Sequence, residues 1–90
     1  MLDSLNYNHL HYFWVVFREK SITRASERLK VTPQTVSAQI KALESSLERV
    51  TFVLKKQKIV PTEFGREVYR HADEMFRVGQ DLLKTVHGEA

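Results

Sequence analysis

Large apolar residues near the start of the chain fall at Leu10, Phe13, Trp14 and Phe17, steps of three, four and seven that share one side of a helix over residues 8–20. Four side chains of that size at that spacing build a core. Ser21 offers a capping hydroxyl to a short second helix over 22–29, whose small Ala25 and Ser26 permit close packing. Lys30 and Val31 form a tight turn. Thr32 followed by Pro33 then gives a strong start signal, a capping hydroxyl before a proline at the first helical position, where no N–H is needed. The third helix, 33–47, carries Val36, Ile40, Leu43 and Leu47 in one stripe, and its opposite face presents Gln34, Ser37, Ala38, Lys41 and Ser45. That face is polar and small enough to enter a groove.

From Glu48 to Pro61 the period changes. Thr51, Phe52, Val53 and Leu54 favour a strand and Ile59-Val60 a returning one, with 55–58 between them. No glycine marks the turn, which predicts a longer wing loop in place of a two-residue hairpin. Thr62 caps a last helix over 62–86, on which Phe64, Val68, Ala72, Met75, Gly79, Leu82 and Val86 recur in steps of three and four, flanked by Tyr69, Phe76 and Leu83. A domain of roughly 60 residues cannot cover so much apolar surface, which points to the same helix of a second chain as its partner, with folding back on its own domain as the alternative. The dimer candidates are Val68, Ala72, Met75, Phe76, Gly79, Leu82, Leu83 and Val86. The fold class is mainly α with a small β-wing. Residues 1–61 form a winged helix-turn-helix, and residues 62–90 a linker and dimerisation helix.

Charge sharpens this division. Residues 18–58 hold ten Lys/Arg against four Asp/Glu, a local excess of +6, within a chain whose net charge is only +3. Such asymmetry points to a polyanion-facing part and a part that faces something else, with a solvated charged surface as the alternative. The chain has no cysteine, which excludes disulfides and thiolate metal sites. His9, His11, His71 and His87 lack metal-ligand spacing, and no nucleophile–base pair or phosphate-binding glycine loop is present. We expect no metal, no cofactor, no enzyme activity, no membrane contact and a cytoplasmic location. A membrane-surface role for the last helix fits poorly, because that helix is not basic.

The literal residues carry more. Ser21-Ile22-Thr23-Arg24-Ala25-Ser26-Glu27-Arg28-Leu29, Thr32, the run Val36 to Leu47, Phe52 and Pro61-Thr62-Glu63-Phe64-Gly65 strongly resemble the N-terminal domain of LysR-type transcriptional regulators. Asn6 to Leu10, Tyr12-Phe13-Trp14, Tyr69-Arg70, Ala72-Asp73 and Met75-Phe76 look like the branch of that family that activates sodium/proton antiporter genes. The resemblance implies a homodimer on double-stranded DNA with dyad symmetry, the recognition helix 33–47 in the major groove and the basic wing 52–60 on the minor groove and backbone. It also implies an effector-binding domain in a full-length form, absent from this chain. Leu54 stands where an arginine is usual, Glu48 where glycine is usual, and Thr51 where leucine is usual. Pro33-Gln34 reverses the commoner order, and Ala38 replaces a frequent long basic residue.

Gln34, Thr35, Ser37, Ala38 and Lys41 are the candidates for base contact: an amide pairs with adenine, an ammonium reaches guanine, and methyl groups pack on thymine. Ser21, Thr23, Arg24, Thr32, Pro33 and Gln39 are the phosphate candidates, joined on the wing by Lys55, Lys56 and Lys58. Arg18, Lys20, Arg28 and Lys30 add field. Two functions stay open: sequence-specific DNA binding, and a winged-helix dimerisation or protein-interaction module that does not read DNA.

Overall fold

A computed structural model of the chain describes residues 5–88. Helix α1 spans Tyr7–Glu19, α2 Ile22–Leu29 and α3 Pro33–Leu47; strands β1 (Phe52–Lys55) and β2 (Lys58–Pro61) follow, and α4 runs Glu63–Val86. The second and third helices lie where the sequence puts them, and α1 is displaced by one residue. Each start has its cap. The Asn6 side chain accepts from the amides of Asn8 and His9, Ser21 from that of Arg24, Thr32 from that of Thr35 and Thr62 from that of Gly65, meeting donors that a helix start leaves free.

The stripes converge as predicted. Leu10 and Phe13 of α1, Ala25 of α2, and Val36, Ile40 and Leu43 of α3 are buried in one cluster, to which α1 adds Val16, a residue outside the predicted stripe. Burying each large aliphatic or aromatic side chain contributes about 1.5–3 kcal/mol. Phe52 closes the cluster from the sheet, its ring 5.2 Å from that of Phe13.

The wing differs from expectation. The strands pair antiparallel in the register Phe52↔Pro61 to Lys55↔Lys58, so the loop is only Lys56-Gln57, and both residues take positive φ (51° and 64°). This is the two-residue primed geometry that the missing glycine argued against. A left-handed L-residue costs roughly 1–2 kcal/mol, and the paired strands offset it. Lys20, Lys30 and Glu48 likewise end the first three helices in the left-handed region. Glu48 therefore occupies a glycine's conformation without being one.

Glu44 ties α3 to the wing. Its Oε2 accepts from the Thr51 amide (2.6 Å), the Thr51 hydroxyl (2.9 Å) and the Phe52 amide (3.3 Å). This explains a buried threonine in place of an apolar residue, since its hydroxyl has a charged partner. The Thr51 carbonyl in turn accepts from the Thr62 amide (2.9 Å), and a Cβ on Gly65 would run into that carbonyl oxygen. The entry of α4 is thus locked to the head.

Helix α4 is about 36 Å long at 1.5 Å per residue, and its two halves differ. The first half packs on α1. Ala72 is 0% exposed, Tyr69 stacks on Phe17 at 3.9 Å, and Phe76 lies 5.2 Å from Trp14 and 5.3 Å from His11. Ala72, counted among the dimer candidates, is in this respect corrected: it is buried within the chain, because the stripe winds round the helix and its first part meets the head, whereas Phe76 is half-buried and keeps part of its ring at the surface. Val68 and Met75 also pack partly against the core. Beyond this, Val78, Leu82, Leu83 and Val86 are 57–67% exposed. No helix among the described residues is long and apolar enough to cross a membrane.

Candidate nucleic-acid interface

Three residues after the left-handed Lys30, Pro33 begins α3 under the Thr32 cap, so the helix starts abruptly with its first turn exposed. Burial of Val36, Ile40 and Leu43 fixes its rotation. Pro33, Gln34, Ser37, Ala38 and Lys41 consequently line one shallow groove on the outside of the helix. Four of the five base candidates are brought together there, with the proline beside them. Thr35, the fifth, is half-buried at the margin, and its hydroxyl lies 3.0 Å from that of Thr32. Gln39 is half-buried on the flank.

A second cleft lies between α2 and the wing. Lys20, Ser21, Thr23 and Arg24 form one wall, and Leu54, Gln57 and Lys58 the other. Lys20, Arg24 and Lys58 and the Ser21 and Thr23 hydroxyls give it cationic and hydroxylic groups, beside the Glu19 carboxylate and the apolar Ile22, Ile59 and Val60. The Arg24 amide donates to Ser21 Oγ at 3.1 Å, so this hydroxyl is a cap first. Lys55 and Lys56 are exposed at the tip of the hairpin, outside the lining of both the groove and the cleft. Arg28 is drawn to Glu19 at 3.3 Å, which leaves it a weaker source of field than its sequence position suggests.

The sequence reading missed Leu54, Gln57 and the cleft's dependence on Lys20. Leu54 is 73% exposed beside three wing lysines, and only the strand register shows that it borders the cleft. Among the described residues no three His, Asp or Glu side chains come together as metal ligands.

A third surface is apolar. Tyr7 at the start of α1 and His71, Glu74, Met75, Phe76 and Val78 of α4 line an open hollow. It adjoins the exposed half of α4. Burial lowers the proton affinity of His11, on the α1–α4 seam, below that of an ordinary histidine.

Residues 7–66 match the family described as bacterial regulatory helix-turn-helix protein, lysR family. The chain is 45% identical over 86 residues to the transcriptional activator protein NhaR of Escherichia coli (strain K12), covering 96% of this chain and 29% of that protein. Among solved structures, the BenM DBD in its complex with catB site 1 DNA superposes with a TM-score of 0.84 at 24% identity, covering 92% of this chain and 93% of that one. A full-length OxyR variant from Pseudomonas aeruginosa gives 0.83 at 24% identity, covering 93% of this chain and 28% of its own. At such identities the structures show the fold. The chain spans less than a third of the length of NhaR.

Proposed function

The chain belongs to the lysR family of bacterial regulatory helix-turn-helix proteins, and from that membership we propose that it binds double-stranded DNA sequence-specifically, as a homodimer, without catalysing a reaction. The observation that carries this reading is the outer face of α3. Gln34, Ser37, Ala38 and Lys41 form a groove of small and polar side chains at the exposed start of a helix that the core holds by its other side. Such a face enters a major groove, where an amide, a hydroxyl, a methyl and an ammonium each have a base edge to meet. Ser21, Thr23, Arg24 and Lys58 serve the phosphates from the α2–wing cleft, and Lys55 and Lys56 extend the cationic strip. The flanking Thr32, Thr35, Pro33 and Gln39 hold the register of the helix start.

The second chain pairs through the outer half of α4, Gly79, Leu82, Leu83 and Val86, with Val78 added to the earlier candidates and the Tyr7–Met75 hollow continuing the same apolar surface. Residues 1–61 are the reading head and 62–90 the arm; residues 1–4 and 89–90 of that division lie outside the described residues. A dyad-symmetric site follows from the two-fold symmetry of the pair.

Fluorescence anisotropy tests this directly, with a duplex recovered from a random pool by the chain itself and a scrambled duplex, each at two salt concentrations. The recovered duplex should bind at least about tenfold tighter, and both should weaken steeply with salt as phosphate contacts release counterions. Equal binding of the two duplexes would overturn sequence reading. Exposed Val50, Val53 and Leu54 on and beside the wing favour the second reading, a protein-docking module, which that result would put first.

A further inference from the structure

The outer half of α4 continues from a first half that is anchored to the head at its entry and along its seam with α1. In the turns before it, a single carboxylate joins two helices: Asp73 Oδ1 accepts from Trp14 Nε1 at 3.0 Å and from the Tyr69 hydroxyl at 3.3 Å, and Oδ2 accepts from Arg77 Nε at 2.8 Å. Arg18 stands 3.6 Å from Oδ1, its guanidinium carbon 4.9 Å from the centre of the Trp14 ring, and donates to the Tyr69 hydroxyl at 3.4 Å. Trp14 and Arg18 are one turn apart on α1; Tyr69, Asp73 and Arg77 are successive turns of α4. The apolar contacts of this seam, Phe17 on Tyr69 and Trp14 on Phe76, are non-directional. The hydrogen bonds are directional, and a rotation of α4 about its axis turns the carboxylate away from Trp14. The hydrogen bonds from Arg77 and Trp14 hold the Asp73 carboxyl below the usual carboxylate range, so the charge is in place at neutral pH.

Resting on the DNA-binding dimer of the preceding section, we propose that Asp73 is a positioning residue that sets which separation between two half-sites the dimer accepts. Val86 lies thirteen residues beyond Asp73, about 20 Å along the helix. A tilt of about 10° at Asp73 therefore moves that end by roughly 3.5 Å, close to the ~3.4 Å rise of one base pair. Because two heads hang from one arm–arm contact, the separation of the recognition helices is read out through this angle twice.

The test uses the full chain and a dyad duplex recovered from a random pool with it. The half-sites are then kept and moved apart or together by one and two base pairs, and an isolated half-site is included. The parent should prefer its own spacing over a one-base-pair change by about tenfold. In Asp73→Ala and Trp14→Phe that preference should fall below about threefold, with half-site affinity and dimer dissociation unchanged. Arg77→Ala and Asp73→Asn, which each leave the Trp14 bond an acceptor, should give intermediate preferences; they answer the question if the stronger variants unfold. An unchanged spacing preference in all four overturns the role of Asp73 and leaves the DNA-binding reading standing. So does a loss of equal size on the half-site and on the dyad, which marks damage to the head. A parent that binds recovered and scrambled duplexes alike overturns both proposals.

Discussion

Facing outward on α3 are Gln34, Ser37, Ala38 and Lys41; facing outward on the last turns of α4 are Val78, Leu82, Leu83 and Val86. Both sets lie on helices whose other residues reach the same core, and both are exposed among the described residues, apart from the half-buried Ser37. Their chemistry is opposite. The α3 face loses little by staying in water, so its partner must supply hydrogen-bonding edges and negative charge. The α4 face leaves aliphatic surface exposed at roughly 25 cal/mol per Å², so its partner must be dry. Exposure alone thus says nothing about function, whereas the atoms exposed distinguish a wet interface from an apolar one.

Changing the chemistry of the apolar surface should have the largest effect. In the proposed symmetric arm contact Leu82→Asp places two carboxylates, and burying unpaired charge should weaken the dimer by about 3 kcal/mol or more, over a hundredfold. Sedimentation should show monomer with unchanged helicity; an unmodified chain that is already monomeric at high micromolar concentration removes the apolar half of the comparison. Gly65→Ala attacks the anchorage of α4 near its start, where the new methyl meets the Thr51 carbonyl. Thermal unfolding should show a loss of about 2–3 kcal/mol, and a neutral result would mean that the entry of α4 is not tightly held.

Gln34→Ala addresses the polar face. Folding should hardly change, while discrimination between recovered and scrambled duplexes should drop by about 1–3 kcal/mol if the amide reads a base. The same specific-to-scrambled ratio in Gln34→Ala, Ser37→Ala and Lys41→Ala would mean that this face does not read sequence. Glu48→Gly sharpens the contrast from the fold's side. Relief of the left-handed glutamate at φ 58° should raise stability by about 1 kcal/mol without altering duplex choice, measured by urea unfolding beside anisotropy.

The smallest effect is a pH slope. His11 has its proton affinity lowered by burial, so the unfolded chain takes up a proton before the folded one does. Its contribution to stability is therefore complete above the ordinary histidine value of 6.5 and is lost as pH falls through the lower folded value. His11→Phe should flatten that part of the stability curve. Asp73 is lowered too, and by the same sign its contribution persists until pH drops below the usual carboxylate range. A stability profile level between neutrality and that range would contradict the His11 assignment.

The caps of α2, α3 and α4, the bounds of α2 and α3 and the small polar face of α3 were readable from residues alone, because each depends on neighbours within one or two turns; the Asn6 cap of α1 was not among them. Ser21, Thr32-Pro33 and Thr62 act on amides three residues away. The wing turn was misjudged for an energetic reason: absent glycine lowers the odds of positive φ by only roughly 1–2 kcal/mol per residue, less than strand pairing and the closure of the core by Phe52 supply together. Val16 escaped the three-and-four count because α1 is covered on more than one side, by α2, α3 and α4.

By itself, then, the sequence determined the order of the helices, the caps of the last three, the side of α3 that meets the core, and the concentration of positive charge in residues 18–58. Only the tertiary structure decided that Ala72 turns into the head while Leu82 and Val86 do not. It alone brought Asp73 to Trp14 across 59 residues and Glu44 to the Thr51 amide and hydroxyl. The physical reason is range. Periodicity fixes which residues share a helix face, but a continuous apolar stripe looks the same along its length whether an α1 helix covers it or nothing in the chain does.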